Sequence, residues 1–161
     1  MQAHIVPAQP EGSLPPINEI RTRVRHEAPD IYDHVVRTAA LARELAGHHG
    51  IDADRAEAAA LMHDIADRYS DKDLLRYAAK YGVALSETES RVPKLLHGKV
   101  GAELLRAEWF VTDEEVLDAV RSHISGSAQM GPLAKVVFVA DKLEPNRDKF
   151  YGGLDDIREI A

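Results

Sequence analysis

The feature that most limits how this chain can fold is the segment 133–143, introduced by Gly131-Pro132 and apolar on every side through Val136-Val137-Phe138-Val139-Ala140. Proline at a first helical position has its φ already set and needs no hydrogen-bond donor, so a helix starts there. A helix with no polar face must be surrounded, which predicts a central element with other helices packed around it. One residue contradicts that setting. Asp141 is set into the segment, and an ionised carboxylate there is costly unless it is paired or metal-bound. Lys142 is adjacent, but consecutive helical residues do not face each other.

The remaining sequence supplies the surrounding helices. A short one is expected over 17–27, closed by Ala28-Pro29, and a longer one over 31–46, where His34 shares a stripe with Thr38, Leu41 and Leu45. Asp52 caps the next, 53–66, whose alanine-rich middle admits a close neighbour and whose end carries His63 and Asp64 side by side. Ser70 and Asp73 open a helix that Gly82 stops, and the polar segment 83–92 reads as a loop. Pro93 begins a helix over 93–109 that carries His97. Gly98 and Gly101 within it cost about 1 kcal/mol each against alanine, so they point to close approach of another backbone or a ligand. Thr112 and Glu115 read as a capping box for a helix ending at Gly126, with Val116, Val120 and Ile124 on a face beside His123. A short helix from Leu154 follows a polar loop, and no strand pattern is present. The expected fold class is all-α, with residues 1–16 a proline-rich mobile tail and 17–161 one helical domain.

Composition narrows the chemistry. Without cysteine there is no disulfide, thiolate nucleophile or thiolate metal site. A net charge of -7 argues against nucleic acid or an anionic membrane as partner, leaving a small anionic substrate that meets locally concentrated cations. No apolar run approaches the roughly 20 residues of a membrane span, and a cytoplasmic protein is the expectation, with a homodimer left open. Of eight histidines, His4 in the tail has no role, and His48 and His49 are accounted for by a helix C-terminus.

His34, His63, Asp64, His97, His123 and Asp141 stand out by their placement, on five expected helices, each beside an apolar face. Taken singly, each histidine reads as a satisfied core residue. Together they are imidazoles and carboxylates without sulfur, a set that suits iron, manganese, nickel, zinc or magnesium and exceeds what one tetrahedral ion uses. Two metals are the economical reading, with the two oxygens of Asp64 as the bridge. Two cations about 3.5 to 4 Å apart lower the pKa of a shared water and stabilise the attacking and leaving oxygens at phosphorus.

The order His34, His63-Asp64, Asp141 resembles the HD-domain metal-dependent phosphohydrolases, and His97 with His123 resembles the two additional histidines of their two-metal members. More narrowly, Leu95-Leu96-His97-Gly98, Val100-Gly101-Ala102, Ala119-Val120-Arg121, His123 and the run 135–145 with Arg147-Asp148 resemble the YqeK family of bacterial HD proteins. The resemblance implies a helical bundle with a metal site between its central helices. It also implies a two-iron centre and symmetrical hydrolysis of diadenosine tetraphosphate to two ADP, with a nucleotide as substrate. Asp64, Arg121 and Arg147 are the expected catalytic groups, the forked guanidinium ions neutralising the polyphosphate. HD proteins often carry lysine three residues after the motif aspartate; Asp67 stands there, with Arg68 as a substitute cation, and Ser127 stands where the family often has arginine. Two other readings stay open: a nucleotidase acting on mononucleotides, and a non-catalytic nucleotide-binding helical protein.

Overall fold

The structure, a computed structural model, describes residues 10–149 and 153–160. Its α-helices are α1 (Ile17–Glu27), α2 (Tyr32–His48), α3 (Ala53–Met62), α4 (Asp71–Tyr81), α5 (Glu87–Arg91), α6 (His97–Glu108), α7 (Glu114–Ser122), α8 (Pro132–Leu143) and α9 (Leu154–Arg158), with no strand among the described residues. None is long and apolar enough to cross a membrane. As expected from its sequence, α8 is central, packed between α2 and α7, with α3 beneath all three. Val136, Val137 and Ala140 of α8 join one continuous core with Val35, Ala39 and Ala42 of α2 and the fully buried Ala59, Ala60, Leu61 and Met62 of α3. The alanines of α3 have the function their size suggests, since α2 and α3 form the most extensive helix pair in the molecule.

Helix ends differ from the sequence pattern at points that matter for the site. α3 stops at Met62, four residues early, and 63–68 follow as successive turns. α7 is capped by Asp113, whose carboxylate accepts from the amides of Glu115 and Val116, rather than by Thr112. The Thr112 hydroxyl instead donates to the Pro10 carbonyl and accepts from the Ser13 amide, at 2.7 and 2.9 Å. Residues 1–9 of the expected tail, His4 among them, lie outside the described residues, and this contact ties residues 10–13 to the start of α7. The polar segment read as a loop contains α5, opened by a full capping box between Ser86 and Glu89. The expected helix over 93–109 begins as a 3-10 turn, Pro93–Leu96, before α6 proper.

Gly98 meets the expectation of close approach. A Cβ there would lie 3.0 Å from the main-chain oxygens of both Val120 and Arg121, so the start of α6 rests directly on the end of α7. Gly101 faces Ala66, Val120 and Ile65 at 3.6–3.7 Å, an ordinary packing distance.

Candidate metal centre

The helix ends bring six side chains to one place. His34 is on the first turn of α2, His63 and Asp64 just beyond α3, His97 at the start of α6, His123 just beyond α7 and Asp141 near the end of α8. The four imidazoles form a chain in the order His34, His63, His123, His97, with ring centroids 5.3, 4.8 and 5.0 Å apart. His63, which keeps helical backbone angles of φ −57° and ψ −37°, and Asp64 follow the last residue of α3, and both reach the same point.

The histidines share an orientation. His63, His97 and His123 each direct Nδ1 at the carbonyl three residues back, Ala60, Lys94 and Val120, at 2.7 Å in every case. His34 directs Nδ1 at the Glu144 carboxylate. A carbonyl accepts only from N–H, so Nδ1 carries the proton and Nε2 is left as the electron-pair donor. All four Nε2 atoms face the aspartates. Asp64 divides its oxygens: Oδ2 lies 3.5 Å from His34 Nε2 and 3.3 Å from His63 Nε2, whereas Oδ1 lies 3.2 Å from His97 Nε2 and 3.1 Å from His123 Nε2. Asp141 Oδ1 stands 3.2 and 3.5 Å from His34 and His63.

Whether a metal fits is answered by the polar atoms. Nε2 of His34 and of His63 are buried and make no hydrogen bond, an expensive condition for a nitrogen lone pair unless an ion occupies the gap. His34, His63 and Asp141 form one group of donor atoms within 4.8 Å of one another, and His63, Asp64 and His123 a second. Electrostatics point the same way. Burial would raise the Asp64 carboxyl, but His63 and the other imidazoles hold it well below the usual carboxylate range; Asp141 is likewise driven far down against its burial. Burial would lower His63, but Asp64 and Asp141 overcome it and raise it to about 10. His123, with burial dominant, is lowered. Two ionised carboxylates, Asp141 buried and Asp64 largely so, favour positive charge between them.

The cleft above the cluster encloses about 270 Å³ and is lined in part by Asp67, Ile124, Lys142 and Arg147. Arg147 Nη2 is 2.6 Å from Asp141 Oδ1, and Arg147 Nε donates to the Asp141 carbonyl at 2.9 Å. Lys142 Nζ lies 2.5 Å from Asp141 Oδ2 and 3.2 Å from the His123 carbonyl. The sequence argument against Lys142 is therefore corrected: a four-carbon stem curls back to its neighbour although the two Cβ directions diverge. Arg121, two residues before His123, pairs with Glu103 at 3.0 Å and Asp118 at 3.7 Å and is not among the residues that line the cleft. Arg68 does not replace the missing lysine, because its guanidinium is bound to Glu27 and the Tyr69 hydroxyl. Asp67 pairs with Lys94 at 2.9 Å, and Ser127 is occupied with Gln129 in a local turn.

Sequence reasoning missed Glu144. It is 2% exposed at the C-cap of α8, where ψ of 148° before Pro145 swings it out of the helix toward α2. A buried anion at a helix C-terminus, against the dipole, was the available signal.

A histidine and an aspartate in succession at the meeting point of helices that each contribute a ligand group is the arrangement of an HD-type metal centre. The chain belongs to the HD domain family, whose model matches residues 31–146, a family of metal-dependent phosphohydrolases. Its relatives are more specific. It is 38% identical over 130 residues to the Bacillus subtilis (strain 168) protein named symmetrical bis(5'-nucleosyl)-tetraphosphatase, a match that covers 81% of this chain and 68% of that protein. The Halalkalibacterium halodurans protein of the same name is 35% identical, with the same coverage. A crystal structure from Clostridium acetobutylicum, described as a predicted HD superfamily hydrolase involved in NAD metabolism, matches with a TM-score of 0.84 at 28% identity, over 91% of this chain and 77% of that one.

Proposed function

We propose that this protein hydrolyses dinucleoside tetraphosphates symmetrically, diadenosine tetraphosphate giving two ADP, at a centre of two transition-metal cations, iron being the ion the family resemblance favours. The observation that carries the reading is the division of Asp64, one oxygen among His34 and His63 and the other among His97 and His123, which suits a carboxylate shared by two cations. Relatives named for this reaction support the substrate. His34, His63 and Asp141 would hold one cation and His97 and His123 the other. Cations so held lower the pKa of water and neutralise charge on the attacked phosphoryl group.

The protein's own residues have distinct tasks. Arg147 and Lys142 on one wall present guanidinium and ammonium groups to the cleft, where phosphate oxygens can replace part of their contact with Asp141. Asp67, paired with Lys94 of the following 3-10 turn, stands on the wall formed by the turn after Asp64. Water's oxygen ends on an inner phosphorus, the bond from it to the central bridging oxygen breaks, and ADP leaves with the bridging oxygen. The test is a product analysis with diadenosine tetraphosphate in water enriched in heavy oxygen. ADP should be the sole nucleotide product, with one of the two ADP molecules labelled in each turnover. AMP with ATP would overturn the symmetrical mechanism, and turnover of mononucleotides without dinucleotide cleavage would favour a nucleotidase.

A further inference from the structure

The four imidazoles are not held in equivalent ways. Three donate Nδ1–H to a main-chain carbonyl of their own turn, a neutral acceptor that no side-chain substitution can remove. Of the four, His34 alone directs Nδ1 at a carboxylate, 3.3 Å from Glu144 Oε1. That carboxylate is itself fixed: Arg37 Nε donates to Oε2 at 2.7 Å and the Asn146 amide at 2.9 Å. A buried, anchored anion behind a histidine strengthens the opposite nitrogen as a donor to a cation. The His97 side lacks this support. Asp67 Oδ1 is 3.7 Å from His97 Nδ1, but that nitrogen already donates to the Lys94 carbonyl and the carboxylate is taken by the Lys94 ammonium. Asp141 adds a second difference, since its Oδ1 stands among His34 and His63 and not among His97 and His123.

We propose that Glu144 is the positioning residue of His34, and that through it the His34–His63–Asp141 position binds its cation first and more tightly than the position at His97 and His123. The proposal rests on the two-cation reading above. Its test is titration of the full-length metal-free protein with Co2+, followed by absorption and calorimetry. Wild type should take up Co2+ in two steps. Glu144→Gln keeps the shape of the side chain and its ability to accept from Arg37 and Asn146, and should weaken the tighter step about 10–100-fold while leaving the weaker one in place. Long-range proton–nitrogen spectra of the Zn2+-loaded protein supply a readout that general loosening of the fold would not mimic: a proton on His34 Nδ1, whose resonance moves in Glu144→Gln while those of His63, His97 and His123 stay. A single Co2+ step in wild type would overturn the two-cation reading and the unequal filling with it. Two steps that Glu144→Gln leaves unchanged, or weakening of the looser step alone, would overturn only the role given to Glu144. If the variant does not fold, the wild-type spectrum decides, because a His34 Nδ1 without a proton contradicts the proposal.

Discussion

Gly98→Ala tests whether the contact of α6 with α7 builds the metal centre. The new Cβ would sit 3.0 Å from two main-chain oxygens, Val120 and Arg121, and 3.2 Å from Ile124 Cδ1. Relief to an ordinary 3.4 Å requires a separation of about 0.4 Å. Overpacking costs about 1–3 kcal/mol, and helical main-chain oxygens cannot rotate aside, so the upper half of that range applies. Alanine returns up to about 1 kcal/mol of helix propensity, leaving a net loss of about 1–2 kcal/mol. At about 2–4 °C per kcal/mol for a chain of this size, the metal-free protein should melt about 2–8 °C lower. Gly101→Ala is the internal control, for its Cβ meets nothing nearer than 3.6 Å and keeps the propensity gain, so it should be neutral or stabilising by up to about 1 kcal/mol. Urea unfolding of both variants measures the difference. Because His97 precedes Gly98 and its Nε2 is 3.1 Å from that of His123, Gly98→Ala should also weaken cation binding on that side. Equal stabilities for wild type and Gly98→Ala, or greater damage from Gly101→Ala, would refute the reasoning.

Cation binding should release protons at neutral pH, since His63, raised to about 10, must give up its proton to become a donor. The sign follows: charged His63 stabilises the metal-free fold below its unfolded value near 6.5, that contribution is lost as pH rises through about 10, and cation affinity rises over the same window. Calorimetry in two buffers of different ionisation enthalpy measures the release, and binding heats independent of buffer would contradict it. Asp64→Ala should lose both cations while His97→Ala or His123→Ala loses mainly one, by metal analysis; retention of two ions in Asp64→Ala would remove the bridge. Arg147→Ala should slow turnover or weaken substrate binding by about 1.5–3 kcal/mol, against at most about 1 for Arg121→Ala, whose half-buried carboxylate partners lie outside the cleft; equal effects in steady-state kinetics would restore Arg121 to the site. Asp113→Asn keeps a capping oxygen but loses the ion pair in which Arg55 donates at 2.8 and 2.6 Å, and should cost about 1–2 kcal/mol at pH 7. Asp113 is lowered in the fold, so the difference should hold above the ordinary aspartate range near 4 and vanish as pH falls through the lowered value; a difference that persists in strong acid would assign it to packing.

The helices, and the imidazoles and carboxylates that the fold gathers at the candidate metal centre, were legible in the sequence because both are local properties. The apolar run around Val137 could only be a buried helix, and Asp141 within it was conspicuous by its cost. Gly82, in the left-handed conformation, and Asp52, as a cap, marked helix ends through their own backbone chemistry. The directions of long side chains were not legible, because they depend on what lies across the cleft. Arg147 reaches back to Asp141, Arg121 pairs with Glu103 and Arg68 is drawn off by Glu27, all through partners removed in sequence, while Lys142 curls back on its own neighbour Asp141 at the mouth of the cleft. The division of Asp64 between two pairs of imidazoles and the placement of Glu144 behind His34, 110 residues away, likewise exist only once α2, α3, α6, α7 and α8 are packed. Sequence determines which groups are too costly to bury alone; tertiary packing decides which of them meet, because a hydrogen bond or a ligand position is set by distances of a few tenths of an ångström between elements that share no local code.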